Sequence, residues 1–181
     1  MTASPPLPAA EADAFFGALF QRELSYVYRS VQRLGVPERD AQDVTHDVFV
    51  VVHRKLASYD RARPLRPWLL AIAARVAADY RRLSRNRLEQ VGITTQPADG
   101  GLSQDARLEQ RDARALLLEA LQAVDEERRP LLIMVDLDEV NVTEAARALE
   151  LPLNTAYSRL RLAREELTAA VRRLAARGGK R

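Results

Sequence analysis

Apolar residues recur every three or four positions along most of this chain of 181 residues. That spacing places them on one face of an α-helix. No segment alternates apolar and polar residues as a half-buried strand would. The sequence therefore predicts an all-α fold. The apolar positions form stripes that we expect to be buried, at residues 15–34, 41–56, 68–83 and 156–174. Leu24, Leu83 and Val171 belong to these stripes.

Breaks between the stripes predict the domain organisation. Gly35 and Pro37 end the first helix, and a loop with two prolines at residues 58–67 separates the second helix from the third. Residues 90–105 have the Gly, Pro, Ser and Thr content of a flexible linker. We therefore predict two small helical domains joined by that linker: an N-terminal three- or four-helix domain over residues 11–89 and a C-terminal helix-turn-helix domain over residues 106–176.

Composition argues against several classes of protein. The chain has no cysteine, which excludes disulfides and cysteine-based metal sites. Its longest apolar runs are far shorter than a membrane span, and residues 1–10 do not resemble a signal peptide. His46 and His53 lack companion ligands, and no phosphate-binding glycine loop or nucleophile–base motif is present. We expect a cytoplasmic protein that is not an enzyme, has no metal or cofactor, and does not insert into membranes.

Basic residues form two blocks although the net charge is only +3. Residues 61–87 contain eight arginines and one acid, and residues 157–181 contain eight basic residues and two acids. A solvated helix face would explain one such block. Two blocks on separate helices favour a surface that binds the phosphates of nucleic acid.

A short helix from Thr143, a turn containing Pro152 and a longer basic helix make up a helix-turn-helix pattern. Asn141 followed by Glu144 resembles the capping box that starts a helix. An ordinary helical hairpin explains the spacing equally well. In a helix-turn-helix, the start of the second helix contacts base edges, and side chains suited to bases or phosphates stand there: Asn154, Thr155, Tyr157, Ser158, Arg161, and Arg164 or Leu162.

Two other helix faces could bind partners. The arginines of the third helix, residues 67–87, could neutralise phosphates, whereas core packing is favoured for its Trp68 and Tyr80. On the second helix Asp40, Asp43 and Asp47 line up opposite the apolar stripe. A basic protein partner would explain all three acids, whereas a preference for the helix N-terminus explains only the first two.

Three stretches, in this order, resemble the extracytoplasmic-function sigma factors, small members of the sigma-70 family. DAQDVTHDVF at residues 40–49 resembles the family's polymerase-binding helix. RPWLLAIA at residues 66–73, with DYRR at 79–82, resembles its promoter-melting helix. Residues 144–164 resemble its terminal helix-turn-helix, and the resemblance as a whole runs from about residue 15 to 174.

The resemblance implies a subunit that binds core RNA polymerase and promoter DNA, directs transcription initiation and often has an anti-sigma partner. It implies polymerase contacts by Asp40, Asp43, His46 and Asp47. The loop at residues 58–66 would capture a flipped base of the minus-ten element. Contacts to that element would come from Leu65, Arg66, Trp68, Arg75, Arg81, Arg82 and Arg85. The minus-thirty-five element would meet the start of the last helix, at Asn154, Thr155, Tyr157, Ser158, Arg161 and Arg164.

The chain departs from the usual family pattern at several of these positions. Leu65 stands where an aromatic residue is usual, Arg75 where Asn is usual, and His46 where Gln is usual. Glu150 and Asn154 replace glycines. A positive φ at Glu150 would cost about 1 kcal/mol, and Asn154 suits the N-cap of the last helix. The alternative, a homodimeric helix-turn-helix regulator acting alone, does not explain the acidic helix or the arginine-rich third helix.

Overall fold

The computed structural model describes residues 9–91 and 106–178. Within those ranges it is helical and has no strand, which confirms the predicted all-α fold. The helices are α1 (Ala9–Arg33), α2 (Glu38–Lys55), α3 (Leu65–Val91), α4 (Ala106–Gln122), α5 (Arg129–Leu132), α6 (Val142–Ala148) and α7 (Leu153–Gly178). A 3-10 turn, Leu56–Ser58, follows α2, and a π-helical segment, Ile133–Leu137, follows α5.

Two of the predicted segments fall almost wholly outside the described residues. These are the linker at residues 90–105 and the N-terminal stretch at residues 1–10. The first two linker positions, residues 90 and 91, still belong to α3. Among the helices that the structure describes, none combines the length and the apolar character needed to cross a bilayer.

Helices α1–α3, the N-terminal helices, pack on one another, as do α4–α7, the C-terminal helices. The two groups also touch, because α1 contacts α4 and α3 contacts α5 and α6. One continuous apolar cluster therefore runs from Val27, Val48 and Leu69 in the first group to Leu132 and Leu160 in the second. This contact between the groups decides which charged side chains meet.

Three residues assigned to the core by periodicity are exposed instead: Leu24 (39%), Leu83 (62%) and Val171 (50%). On α7 the stripe shifts by one residue, so that Ala170 is buried in place of Val171. On α3 the last buried residue among those described is Ala77, and Leu83 lies beyond it. Periodicity predicts which face of a helix is buried, but not how many turns of that face neighbouring helices cover.

The turn after α1 depends on glycine. Gly35 has φ of 98°, a conformation that side chains rarely adopt. A Cβ at this position would also lie 2.5 Å from Nη1 of Arg129 and 2.7 Å from Oε1 of Gln122. Gly35 therefore both ends α1 and lets a side chain of the C-terminal helices approach that end.

The start of α3 differs from the prediction by two residues. The helix begins at Leu65 rather than Pro67, so the proline lies inside the first turn. The first four amides of a helix have no partner within it, which makes the missing N–H of Pro67 harmless there as well.

The C-terminal turns follow the predicted local signals with one exception. The helix that contains Pro130 begins at Arg129, so the proline lies in its first turn, where a missing N–H is harmless. Asn141 caps α6 by accepting a hydrogen bond at 2.8 Å from the amide of Glu144. Glu150 has φ of 58°, the positive value expected if it keeps the conformation of the usual glycine. The exception is Asn154, which does not cap α7 because that helix already begins at Leu153.

Candidate nucleic-acid and polymerase interfaces

On the acidic face of α2, Asp40 bonds to a neighbouring helix, whereas Asp43 and Asp47 face solvent. Asp40 accepts a hydrogen bond at 2.6 Å from the hydroxyl of Tyr80, which joins α2 to α3. Burial and this bond raise the pKa of Tyr80. Asp43 and Asp47 are exposed beside His46, and neither forms an ion pair within the described part of the chain. An uncompensated acidic surface of this kind suits a basic partner.

The loop at residues 58–66 is held in one shape by aromatic and polar contacts. The ring of Tyr59 lies 4.6 Å from that of Trp68, centroid to centroid. Its hydroxyl donates to the carbonyl of Arg63 at 2.6 Å, which closes the loop on itself. The guanidinium of Arg61 stands 4.5 Å above the ring of Phe15 and ties the loop to α1. No pattern in the sequence points to Tyr59, because it lies in a segment without periodicity.

Arg66, at the end of this loop, is anchored by a buried acid. Its Nε donates at 3.0 Å to Glu23, whose side chain is only 6% exposed. The bond to Glu23 raises the pKa of Arg66. The guanidinium also lies 4.9 Å from the ring centroid of Tyr26. The backbone around Leu65 and Trp68, both half-buried, is thereby fixed against α1.

Beyond Arg66, four arginines of α3 whose side chains the structure describes have acidic neighbours: Arg75, Arg81, Arg82 and Arg85. Arg82 pairs with Asp79 at 3.1 Å on its own helix. The other three reach acids of the C-terminal helices and the turns between them. Arg75 pairs with Glu150 at 2.7 Å, and Arg81 and Arg85 lie 3.3 and 3.8 Å from Glu126.

The predicted recognition face of α7 is open to solvent. Asn154, Tyr157, Ser158, Arg161 and Arg164 are exposed, whereas Thr155 and Leu162 are half-buried. Arg161 pairs with Glu165 one turn along at 2.6 Å, and Arg164 makes two bonds to Asp136, at 2.9 and 2.7 Å. Between Arg164 and Leu162, the structure thus places the arginine outward. Tyr157, Arg161 and Arg164 also line an open groove of about 600 Å³.

Among the described residues, no three His, Cys, Asp or Glu side chains are grouped to hold a metal ion. His53 instead lies 3.8 Å from Asp13 and meets the ring of Phe16 edge-on.

Known proteins match both groups of helices. The family model for Sigma-70 region 2 matches residues 19–87, and that for Sigma-70 region 4 matches residues 114–167. The RNA polymerase sigma factor NccH of Alcaligenes xylosoxydans xylosoxydans is 29% identical over 170 residues, which cover 89% of each chain. The ECF RNA polymerase sigma-E factor of Escherichia coli (strain K12) is 24% identical over 77% of this chain and 78% of its own.

Solved structures agree with the sequence matches. CnrH, in complex with the cytosolic domain of CnrY, superposes with a TM-score of 0.62 at 27% identity, over 89% of this chain and 92% of its own. The sigma factor RpoE of Bartonella quintana, in complex with the anti-sigma factor NepR, superposes with a TM-score of 0.65 over 87% of this chain and 96% of its own. At 19% identity the second match supports the fold alone. The chain belongs to the sigma-70 family of RNA polymerase sigma factors, in its extracytoplasmic-function group.

Proposed function

We propose that this protein is a promoter-specific sigma factor that binds core RNA polymerase and recognises minus-ten and minus-thirty-five elements. One observation carries the proposal: the exposed acidic pair Asp43 and Asp47 on α2 accompanies the arginine face of α3 and the recognition face of α7. A DNA-binding protein acting alone needs the two basic faces but has no use for the acidic one.

The polymerase contact is assigned to Asp43, His46 and Asp47. All three are exposed on one face of α2, and the described part of the chain offers the two acids no counter-charge. Asp40 has a second role, because its bond to Tyr80 fixes α2 against α3. Polymerase binding would therefore set the position of the minus-ten surface directly.

The minus-ten contact is assigned to the loop at residues 58–66 and to α3. Extracting a base from a duplex costs a few kcal/mol of free energy. A pocket that is already rigid offsets this cost more fully, because binding the base does not also have to order the pocket. Tyr59, Trp68 and Arg63 provide that rigidity. Leu65 and Arg66 would lie at the rim of the pocket. The phosphates would be held by the arginine face of α3, which consists of Arg75, Arg81, Arg82 and Arg85.

The minus-thirty-five contact is assigned to the start of α7, placed in the major groove. Arg161 and Arg164 have the geometry for guanine and Asn154 for adenine, while Thr155, Tyr157 and Ser158 can reach bases or phosphates. We take the two DNA-binding units to be the domains at residues 11–89 and 106–176, each reading one element. Recognition is then shared between two surfaces while the polymerase carries out the chemistry.

Two further assignments rest on the family. CnrH, at 27% identity, was solved with the cytosolic domain of CnrY bound, so we infer that an anti-sigma factor is a partner of this chain also. We place the protein in the cytoplasm because its proposed partner, RNA polymerase, works there.

Transcription in vitro tests the proposal. Core polymerase is incubated with genomic DNA of the source bacterium, with and without the protein, and the 5′ ends of the transcripts are mapped. We expect a limited set of start sites that require the protein and share two upstream sequence elements. Start sites unchanged by the protein would contradict the proposal.

A further inference from the structure

We propose that Asp136 is a positioning residue for promoter recognition, which holds the guanidinium of Arg164 so that its outer edge is free to pair with a guanine in the major groove. Asp136 lies outside the helix-turn-helix pattern, which begins at Thr143, so no motif points to it. The inference rests on the proposed function and deepens it, because it concerns how the recognition face of α7 reads DNA.

The pair between Asp136 and Arg164 is bidentate. Oδ2 of Asp136 accepts a hydrogen bond from Nε of Arg164 at 2.9 Å, and Oδ1 accepts one from Nη2 at 2.7 Å. The carboxylate therefore fills the side edge of the planar guanidinium, which is formed by Nε and Nη2. The outer edge, formed by Nη1 and the second N–H of Nη2, has no partner among the described residues. That edge presents the two parallel donors that match O6 and N7 of guanine.

Packed backbone carries both members of the pair. Asp136 belongs to the π-helical segment Ile133–Leu137, whose Ile133 is completely buried. Arg164 follows Ala163, which is completely buried on α7. The side chain of Asp136 is 28% exposed and that of Arg164 is 54% exposed, so the acid lies beneath and the arginine points outward. The direction of the Arg164 side chain is thus set before DNA binds.

Arg164 shares the face of α7 that is assigned to the minus-thirty-five element. Together with Tyr157 and Arg161, it lines the same open groove. An acid beside such a face has an electrostatic cost, because it repels phosphates. Both oxygens of Asp136 are engaged by Arg164, so the acid acts through the arginine rather than on a base. A positioning role explains why a carboxylate stands at this place.

Arg161 has a different kind of partner. Its Nη1 donates at 2.6 Å to Glu165 on the same helix, and the two side chains are 66% and 59% exposed. This bond uses a nitrogen of the outer edge, so it has to break before Arg161 can pair with a guanine. Exposed pairs of this kind stabilise little, because water and salt screen them. Arg161 therefore exchanges its acid for DNA, whereas Arg164 keeps Asp136 while it binds.

Selection of DNA from a random library measures the effect on base preference. The protein with core polymerase, and separately the protein alone, is mixed with duplexes randomised over the upstream region, and the bound sequences are counted. The test variant, Asp136→Asn, removes the charge but keeps the size of the side chain. The control, Glu165→Gln, makes the same change in net charge at the partner of Arg161. Melting temperatures show that each variant is folded.

We expect the unchanged protein to prefer guanine at one position by at least about fivefold, and Arg164→Ala to remove that preference. Asp136→Asn should reduce the preference at the same position by at least about threefold and leave the other positions unchanged, because one bidentate contact is affected. Glu165→Gln should leave the preference at that position as it was. Combining Asp136→Asn with Arg164→Ala should give the result of Arg164→Ala alone, because Asp136 acts only through that arginine.

Equal changes in Asp136→Asn and Glu165→Gln would overturn the inference. So would a loss of preference spread evenly over all positions together with a lower melting temperature, because Asp136 would then only join α7 to the segment before α6. A further loss on adding Asp136→Asn to Arg164→Ala would also contradict it. Selection by the protein alone but not with polymerase would remove the sigma-factor function, and the comparison of variants would still decide the role of Asp136. Selection of no sequence in either case would overturn both.

Discussion

Nη1 of Arg129, at the start of α5, donates a hydrogen bond to the carbonyl oxygen of Leu34 at the end of α1, 3.0 Å away. Arg129 is only 4% exposed, and its remaining donors go to the carbonyls of Val124 and Gln122 at 2.8 and 3.2 Å. Burial, with the nearby charge of Arg81, lowers the pKa of Arg129 to about 10. Carbonyls from both groups of helices thus hold a buried cation.

Replacing Arg129 should destabilise the protein strongly. Arg129→Met leaves the carbonyls of Val124 and Gln122 without their side-chain donor, whereas the carbonyl of Leu34 still accepts from Arg81. We expect the free energy of unfolding to fall by about 2–3 kcal/mol. Arg147→Met, at an exposed arginine paired with Glu144, is the control and should cost less than about 1 kcal/mol. Urea denaturation followed by circular dichroism measures both values, and similar small losses would show that Arg129 does not join the two halves.

The cap of α6 offers a more local test. Asn141→Ala removes the acceptor for the amide of Glu144 and should lower the free energy of unfolding by about 1 kcal/mol. Asn141→Asp keeps an acceptor and should retain most of the stability. Equal losses in the two variants, measured by thermal denaturation, would mean that the side chain does not act as a cap.

The hydroxyl of Tyr59 should matter for promoter opening rather than for polymerase binding. Tyr59→Phe keeps the ring against Trp68 but removes the bond to the carbonyl of Arg63, worth about 1 kcal/mol, or roughly fivefold. We expect slower opening of the minus-ten element, followed by a fluorescent base analogue in that element. Tyr28→Phe is the control, and the same opening rate in both variants would argue against a positioning role for Tyr59.

Charge reversal on α2 should separate polymerase binding from folding. Asp43→Arg or Asp47→Arg sets a cation against a basic partner, so we expect the affinity for core polymerase to fall by about tenfold or more. Both residues are exposed, so helix content and melting temperature should change little. Glu119→Arg, at an exposed position of α4, is the control in a pull-down with core enzyme. Undiminished retention of the α2 variants would remove the assignment of this face.

The substitution Arg161→Ala tests the proposed base contact of Arg161 on α7. Its pair with Glu165 is exposed and contributes little to stability, whereas a bidentate arginine–guanine contact is worth about 1–3 kcal/mol. We expect weaker binding to the upstream promoter element, relaxed preference at one base and unchanged polymerase binding. Equal loss of DNA and polymerase binding would mean that Arg161 is structural.

Local signals in the sequence predicted much of the fold. The apolar stripes predicted the helices, Gly35 predicted the end of α1, and Asn141 with Glu144 predicted the start of α6. Each of these features depends only on residues a few positions apart in the sequence. Leu24 and Leu83 show the limit of this reasoning, since the extent of a buried face depends on where neighbouring helices end.

The contacts between the two groups of helices could not be predicted in this way. Tyr26 and Asp138 are 112 positions apart, and Arg75 meets Glu150 only because α3 packs on α6. The motif resemblance predicts that the arginines of α3 contact DNA, but it carries no information on the acids with which they pair in this structure. The proximity of Glu126 and Glu150 to these arginines is visible only in the folded structure.

The most direct test of the central claim is size-exclusion chromatography of the purified protein with bacterial core RNA polymerase, at moderate salt and without DNA. We predict that the protein co-elutes with the core enzyme as a stable complex. Separate elution, together with a homodimer that binds duplex DNA by itself, would contradict the sigma-factor function and favour a regulator that acts alone.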